Sequence, residues 1–314
     1  MDMNFCIFIP TYNASLHLDT LIPVLNQFGC SDKIYIVDSS SSDNTVSCFI
    51  DAGFNQVMVI SAAEFDHGGT RALANCITDT DVVVFLTQDA LPQTFNEVRK
   101  LIRVFEDNSI GAAYGRQIPY DSTNLFGKHL RYFNYPDSSY IRSYNDRELF
   151  GIKTTFISNS FAAYRRSAMD RIGWFKSGLI LGEDVYAGAK LLQAGYQLAY
   201  VSDAQVYHSH SYTVFEEFKR YFDIGVFHQM ESWILDEFGK PVGEGVRYIK
   251  SEFKYLIAHK AYNLIPEFFI RNFMKFLGYK FGIHHESLPK SWTLNFSMHY
   301  RWWDKFWSGR SGVK

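Results

Sequence analysis

The sequence is poor in cysteine, and its four cysteines follow no paired spacing. Cys6, Cys30, Cys48 and Cys76 include no CxxC pair, so they indicate neither a disulfide framework nor a cysteine zinc site. Scattered cysteines of this kind are typical of a protein in a reducing compartment. Their pattern therefore argues against a disulfide-stabilised secreted fold.

Long apolar runs are also missing from the chain. No window approaches the roughly 18 uninterrupted apolar residues that a membrane-spanning helix requires. The first ten residues lack the basic segment and the length of a signal peptide, so we expect none. After the first apolar run there is no glycine-rich loop bearing lysine or arginine, which argues against a nucleotidyltransferase.

The chain has little excess charge of either sign, with a formal net charge of −2. Its positive and negative residues are nevertheless unevenly distributed along the sequence. Residues 245–314 hold 12 Lys and Arg against 4 Asp and Glu, which gives a net charge of +8. Residues 1–244 hold 19 against 29, which gives −10. This split marks the C-terminal part as a separate functional surface. We expect no nucleic acid among the partners.

Short runs of β-branched and aromatic residues alternate with helical patterns from the start of the chain. The predicted strands are 5–9, 34–37, 57–60, 82–86, 110–115, 161–164 and 197–201. This alternation predicts an α/β fold with a doubly wound, mostly parallel sheet flanked by helices. Polar residues follow three of the strands, namely Thr11 with Asn13, then Asp38, then Asp89. Ligands bind outside the carboxyl ends of such strands, so we expect the site there.

Asp89 follows the most apolar of these strands, which contains no charged residue. An acid delivered to that edge of the sheet is placed to bind a metal ion or a polar substrate. Alternatively, Asp89 caps a helix that begins near Leu91 and Pro92, since proline is favoured in the first turn. The residues alone favour neither interpretation.

Two adjacent glycines, Gly68 and Gly69, precede a predicted helix with Arg71 in its first turn. Free backbone N–H groups at such a position bind phosphate, and an arginine adds a permanent positive charge. The alternative is an ordinary glycine-rich turn. We favour diphosphate binding because an arginine in the first turn opposes the helix macrodipole and needs another reason to be there.

Two later clusters contain acids and histidines. Glu183 and Asp184 begin a predicted helix, where capping accounts for one acid and leaves the other as a base or ligand. His208 and His210 lie two residues apart on an extended segment, so both rings share one face, and we favour one of them as a metal ligand. The polar, tyrosine-rich segment 120–157 predicts a long loop over the site.

Taken in order, these motifs resemble an inverting family 2 glycosyltransferase of the GT-A fold. The matching segments are 9–13, 37–45, 86–90, 182–184 and His208. Each is weak alone, but their order over residues 5–210 makes the set specific. The segments 66–71, 115–119 and 208–210 make it similar to bacterial rhamnosyltransferases, which build O-antigen or other cell-surface polysaccharide from dTDP-L-rhamnose.

The resemblance implies a donor-binding role for several positions. Thr11, Asn13 and Asp38 would hold the pyrimidine nucleoside, with Asp38 accepting a hydrogen bond from the base N3–H. The further donor-binding residues implied are His67, Gly68, Arg71, Gln88, Arg116 and Gln117.

The resemblance also implies the catalytic and metal-binding residues. Asp184 would be the general base, with Glu183 beside it. Asp89 and His208 would bind Mg²⁺ or Mn²⁺. Two departures from the family pattern stand out. The family's DxD element is reduced here to Thr87-Gln88-Asp89, and the two acids usual after the second strand are replaced by Asp38-Ser39. Fewer carboxylates imply weaker metal binding, or a site that the diphosphate itself completes.

The implied reaction moves L-rhamnose from dTDP-L-rhamnose to a saccharide acceptor linked to undecaprenyl diphosphate. An inverting displacement through an oxocarbenium-like state needs one base and a neutralised leaving group, and no covalent nucleophile. Two alternatives stay open. The same fold could use another donor such as a UDP-sugar, or the chain could be a catalytically silent scaffold that binds a sugar nucleotide in a polysaccharide assembly complex.

We divide the chain at residue 212, into a catalytic GT-A domain and a helical, aromatic-rich, basic extension over 213–314. The helices predicted over 253–283 and the aromatic segment 301–307 have the composition of elements that lie in a bilayer interface. The alternative is a helical cap on the catalytic domain or the interface of a homo-oligomer. We favour peripheral association with the cytoplasmic face of the inner membrane, since the positive charge attracts anionic lipid.

Overall fold

The computed structural model describes residues 3–239 and 243–311, and its centre is one nine-stranded sheet. The order across the sheet is β3-β2-β1-β4-β8-β6-β9-β5, and β7 also pairs with β9. The strands are β1 Phe5–Thr11, β2 Ile34–Asp38, β3 Gln56–Val59, β4 Val82–Leu86, β5 Leu91–Pro92, β6 Ile110–Ile118, β7 Tyr140–Arg142, β8 Phe161–Arg165 and β9 Gln197–Tyr207.

The first four long strands form the parallel half of the sheet, because β1 pairs in parallel with both β2 and β4, and β2 with β3. In the other half β8 runs antiparallel between β4 and β6, and β6 returns to a parallel pairing with β9. The predicted α/β fold is therefore confirmed, with a parallel N-terminal half and a mixed remainder. The register sets Thr11 opposite Asp38 at the carboxyl edge.

Helices cover the sheet and build the C-terminal extension. Those around the sheet are α1 Ser15–Gln27, α2 Thr45–Asp51, α3 His67–Ala72, α4 Ala74–Ile77, α5 Phe95–Arg103, α6 Leu125–Asn134, α7 Arg147–Phe150, α8 Arg166–Ile172 and α9 Glu183–Gln193. Those of the extension are α10 Val214–Met230, α11 Ser232–Phe238, α12 Glu244–Ala258, α13 Ile265–Ile283, α14 Lys290–Phe296 and α15 Tyr300–Ser311. None of the helices in the described ranges has the length and apolarity needed to cross a bilayer.

Two local predictions are wrong. The helix after Asp89 begins at Phe95, because Leu91 and Pro92 form a short strand against β9, so Asp89 caps no helix. The segment 120–157 is not a long loop, because it contains α6, β7 and α7. The pattern of α6 is hard to recognise because the polar His129 is buried on its inner face together with Phe126.

Close contact between α10 and α13 holds the extension together. Glycines at the crossing allow the two backbones to touch, since a Cβ at Gly278 or Gly282 would collide with the carbonyl oxygens of Phe218 and Phe222. Arg271 and Lys275 of α13 are buried here and lie 3.3 and 3.5 Å from Glu217 of α10. These two cations therefore belong to the interior, and they are not part of a basic face directed at lipid.

The aromatic segment 301–307, predicted as an interfacial anchor, packs against the part of the chain that contains the sheet. Trp303 is fully buried, and its ring centroid lies 6.2 Å from that of Phe222. Trp302 donates a hydrogen bond to the Gly178 carbonyl oxygen at 3.0 Å. One apolar cluster contains Trp303 together with the strand residue Phe85. The anchor prediction for this segment is wrong, because Trp303 fills the core shared by the sheet and the extension and the other three aromatic rings pack against that core.

We predict that Trp303→Ala destabilises the whole fold. Removing a fully buried tryptophan leaves a cavity, which costs about 3–5 kcal/mol in the free energy of unfolding. Urea denaturation followed by circular dichroism measures this value. Trp292→Ala is the control, because Trp292 is 48% exposed and its loss should cost about 0.5 kcal/mol or less. Equal midpoints for the two variants would contradict the packing described here.

Candidate active site

The carboxyl edge of β1 and β2 is organised by one buried acid. Asp38 is fully buried and accepts hydrogen bonds from the hydroxyl of Thr11 at 2.8 Å and from the amide and hydroxyl of Ser41 at 2.7 and 2.6 Å. The Asn13 side chain accepts from the Ser42 amide at 2.9 Å. Three of the predicted nucleoside residues thus meet at this edge, where Asp38 fixes the loop. Its bond to a base N3–H stays a prediction.

Gln88 joins the end of β4 to the end of β1. Its side-chain oxygen accepts from the Tyr12 amide at 2.8 Å, and its nitrogen donates to the Tyr12 carbonyl at 3.2 Å. The side-chain amide of Gln88 thereby satisfies both backbone groups of Tyr12, as a neighbouring strand would, and fixes the position of Tyr12. This contact gives the predicted donor-binding residue Gln88 a structural role at the edge of the site.

Asp89, His208 and His210 form a cluster of three side chains that could hold a metal ion. A carboxylate oxygen of Asp89 lies 3.2 Å from Nε2 of His208 and 3.4 Å from Nε2 of His210. The three ligand atoms lie within 4.8 Å of one another. Burial lowers the pKa of His210 to about 4 and also lowers that of His208. Both rings are therefore neutral near pH 7 and offer lone pairs.

Gln117 orients His208 from behind. Its side-chain oxygen lies 2.8 Å from Nδ1 of His208, and its nitrogen donates to the Ser158 hydroxyl at 2.9 Å. Because a carbonyl oxygen only accepts, Nδ1 carries the proton and Nε2 is left to bind a cation. Nε2 and the Asp89 oxygen then face each other as two acceptors, which repel each other. A divalent cation between them would remove this repulsion. The residues therefore fit a metal ion.

Glu183, at the start of α9, is neutralised by a buried partner. Nη1 of Arg71 lies 3.1 Å from its carboxylate, and the Asn159 side chain donates to the same oxygen at 3.0 Å. Burial alone would raise the pKa of Glu183, but Arg71 and then His67 bring it below its ordinary value. Glu183 is thus an ionised, paired acid that cannot readily take a proton.

Asp184 is the second acid at the start of α9, and it has no cationic partner among the described residues. It accepts from the amides of Val185 at 2.8 Å and Asn159 at 3.3 Å. Burial, followed by the negative charge of Glu183, raises the pKa of Asp184 to about 7. A carboxylate with a pKa near the working pH is suited to general base catalysis.

One cavity of about 570 Å³ brings the predicted catalytic and metal-ligating residues together. Asp89, His208 and His210 line it together with Glu183 and Asp184. The predicted donor residues His67, Arg71 and Gln117 also line this cavity.

Gly68 and Arg116 are two of the predicted donor residues that do not line this cavity. Successive residues of a strand point to opposite faces, so Arg116 faces away from its neighbour Gln117 and lies near Tyr200. Gly68 lies inside α3, where its missing Cβ allows contact with the Lys176 carbonyl. The amide of Gly69 is occupied by Asp66 at 2.6 Å. The structure thus places both glycines inside α3, and phosphate binding at this position stays a prediction.

A second cavity, of about 420 Å³, lies between the carboxyl edge of the sheet and the C-terminal extension. Tyr12 and Ser39 line one side, and His299 and Arg301 line the other. Arg301 donates to the Tyr12 hydroxyl at 3.0 Å. This cavity adjoins the loops that hold Asp38, so residues of the extension reach the predicted nucleoside site.

The sequence patterns missed three contributors to the main cavity. Asn159 contacts both acids of α9, and no local motif distinguishes it from other asparagines. Arg131 and Arg220 also line the cavity. The first lies in the segment taken for a loop and the second in the predicted extension. No local pattern distinguishes these two arginines, and only the folded chain brings α6 and α10 to one cavity.

Comparison with known proteins gives a consistent result. The profile of the family described as Glycosyl transferase family 2 matches residues 6–173. The chain is 44% identical over 304 residues to the O-antigen chain rhamnosyltransferase RfbN of Salmonella typhimurium, and 43% identical over 305 residues to WbaN of Salmonella anatum. Each alignment covers 96% of both proteins.

Solved structures of low sequence identity share the fold. A mannosyltransferase from Pyrobaculum calidifontis in complex with GDP-Man and Mn²⁺ has a TM-score of 0.58 and 15% identity, over 98% of this chain and 88% of that one. TarS of S. aureus in complex with UDP-GlcNAc has a TM-score of 0.53 and 14% identity, over 90% and 91%. The resemblance inferred from the motifs is confirmed, and the chain belongs to glycosyl transferase family 2.

Proposed function

We propose that the protein transfers L-rhamnose from dTDP-L-rhamnose to a lipid-linked saccharide during O-antigen or surface polysaccharide synthesis. The observation that carries this proposal is the single cavity that holds the free acid Asp184 together with the Asp89, His208 and His210 cluster. The sugar follows from relatives that match 96% of the chain and are named O-antigen chain rhamnosyltransferases.

Asp184 is the base of this reaction. Its carboxylate takes the proton of the acceptor hydroxyl as that oxygen attacks the anomeric carbon, while the bond to the donor diphosphate breaks on the opposite face. Glu183 cannot serve, because Arg71 holds it as an ion pair. Asn159 keeps both acids in place through its side chain and its amide. A single displacement of this kind inverts the anomeric configuration.

Asp89, His208 and His210 are the residues that would hold the cofactor. We propose Mn²⁺ or Mg²⁺, and two imidazole ligands beside one carboxylate favour Mn²⁺. When bound, the metal neutralises the charge that develops on the leaving diphosphate. The relative solved with GDP-Man and Mn²⁺ supports a metal in this fold.

The catalytically silent scaffold is the weaker alternative. A binding protein would not need an acid whose pKa is raised to about 7 beside a metal-ligating cluster. The alternative of a UDP-sugar donor keeps the same site. A screen of dTDP-, UDP- and GDP-sugars separates it from the rhamnosyl reading.

We predict that Asp184→Asn abolishes rhamnosyl transfer while nucleotide binding is retained. Loss of the base lowers the rate by roughly 10²–10⁴-fold, because an amide cannot take the proton. Turnover of dTDP-rhamnose is measured with a lipid-linked saccharide acceptor, and dTDP binding is measured by calorimetry. Glu183→Gln serves as a comparison, since it breaks the pair with Arg71 and should lower stability as well as activity.

The pH profile provides a further check on the same assignment. Because the pKa of Asp184 is raised to about 7, the base is increasingly protonated below that value and activity should fall. The rate should rise with pH through about 7 and then level off. A profile that stays flat from about pH 5.5 to 8.5 would remove Asp184 as the base.

We predict that His210 is a third metal ligand. His210→Ala should weaken Mn²⁺ binding by about tenfold or more, as measured by isothermal titration calorimetry on chelator-treated protein. His259→Ala is the matched control, because His259 is exposed at the end of α12 and hydrogen-bonds its own helix. Unchanged Mn²⁺ affinity in the first variant would restrict the site to Asp89 and His208.

We also propose that the extension binds an anionic membrane surface on the cytoplasmic face of the inner membrane, with the lipid-linked acceptor. Phe269, Phe273 and Phe276 share one face of α13 and are 62%, 59% and 57% exposed. Exposed lysines lie on this helix and on α12, which contacts it: Lys280 on α13 and Lys254 on α12. An apolar face with exposed basic residues beside it suits anionic lipid.

We predict that Phe269→Ser combined with Phe273→Ser lowers sedimentation of the protein with phosphatidylglycerol vesicles by about tenfold, since two large apolar groups are lost. Leu149→Ser is the control, because Leu149 is 81% exposed but lies outside the extension. Binding that is insensitive to the double change, or equal for phosphatidylcholine vesicles, would point instead to a protein partner or a second copy of the chain.

A further inference from the structure

Two arginines in the main cavity lack an acidic partner. Arg131 of α6 and Arg220 of α10 both line it, as do the three residues of the metal-ligating cluster. In residues 3–239 and 243–311, neither guanidinium lies within ion-pair distance of a carboxylate. Nε of Arg131 is buried and has no hydrogen-bond acceptor among those residues.

The other cations around this cavity are compensated. Arg71 lies 3.1 Å from Glu183, and Lys275 lies 3.5 Å from Glu217. Arg131 and Arg220, in contrast, repel each other, and after burial this repulsion contributes to lowering the pKa of Arg131. Two like charges held together at the wall of a cavity are unfavourable until an anion joins them.

Ring contacts place Arg220 beside the metal-ligating cluster. Its guanidinium carbon lies 5.8 Å from the ring centroid of Tyr212, and that ring lies 5.2 Å from the ring of His210. Arg131 interacts electrostatically with Asp89. Any anion that bridges the two guanidinium groups is therefore close to Asp89 and His210.

A purely structural role would explain Arg220 but not Arg131. Arg220 is exposed and stacks near Tyr212, which is common for surface arginines. That reading leaves Arg131 without a function, because its Nε is buried and unpaired. Burying an unpaired donor costs free energy, so the position needs a ligand that accepts hydrogen bonds.

We propose that Arg131 and Arg220 form a clamp for a diphosphate group next to the Asp89, His208 and His210 cluster. The planar guanidinium fork matches phosphate oxygens in pairs, and two forks suit the charge of a diphosphate. This inference rests on the proposed glycosyl transfer, in which diphosphate occurs in the donor and in the lipid-linked acceptor. The clamp joins α6, inside the family-matched segment, to α10 of the extension.

The test compares ligands that differ only in phosphate content. Thymidine, dTMP and dTDP are titrated into the full-length protein with Mn²⁺ held constant, and each arginine is replaced in turn by glutamine. We expect Arg131→Gln and Arg220→Gln to weaken dTDP binding by about tenfold or more and thymidine binding by less than about twofold. Arg131→Lys and Arg220→Lys should fall between, because they keep the charge but lose the fork.

Matched controls lie on the same two helices. Lys128→Gln on α6 and Lys219→Gln on α10 remove a positive charge within one turn of each arginine, and neither lysine lines the cavity. Both should leave dTDP affinity within about twofold of the wild-type value. Thermal unfolding of every variant separates lost binding from lost folding.

A second arm identifies the source of the diphosphate. The KM for a short-chain prenyl diphosphate saccharide is measured in detergent with saturating dTDP-rhamnose. Weaker dTDP binding assigns the clamp to the donor, whereas a raised acceptor KM with unchanged dTDP binding assigns it to the lipid diphosphate. If both quantities are unchanged in folded variants while the wild type binds dTDP, the clamp is refuted and the proposed function stands. If the wild type binds none of the nucleotides, the proposed function itself fails.

Discussion

The buried ion pair between Arg71 and Glu183 determines the chemistry of the site. Two adjacent acids begin α9, and only one of them receives a cation. The paired acid stays ionised, and its charge together with burial raises the pKa of its neighbour, Asp184. The same pair fixes α3 against α9, so the helix that follows β3 is tied to the start of α9. Because breaking a buried pair leaves an uncompensated charge, the pKa of the proposed base Asp184 and the local packing depend on one contact.

Strand ends made much of the fold and part of the site predictable. Asp89 and Asp38 were recognisable because an acid directly after an apolar strand is placed at the carboxyl edge of a parallel sheet. Arg71 was recognised as unusual for its helix position, but its partner Glu183 lies 112 positions further along and shares no local pattern with it. Arg116 does not line the cavity that its neighbour Gln117 lines, which a motif of consecutive residues does not reveal. Such long-range pairings require the folded chain.

The extension shows the limit of reading composition alone. Its aromatic and basic residues were assigned together to a lipid surface, yet the structure divides them. Trp303 fills the shared core, and Arg271 and Lys275 satisfy buried acids, whereas Phe269, Phe273 and Phe276 remain on the outer face. A hydrophobic pattern gives the same signal for a face that packs on protein and for one that meets lipid. Only the position of the neighbouring helices separates the two.

The contact of Arg301 with Tyr12 has a consequence for how the protein is made. These two residues are separated by 289 positions, and they line opposite sides of one cavity. During synthesis the sheet can be completed once β9 has left the ribosome, but the cavity wall contributed by residues 298–305 is still missing at that stage. The cavity beside the Asp38 loops therefore stays open until α15 has emerged from the ribosome and has packed on the core.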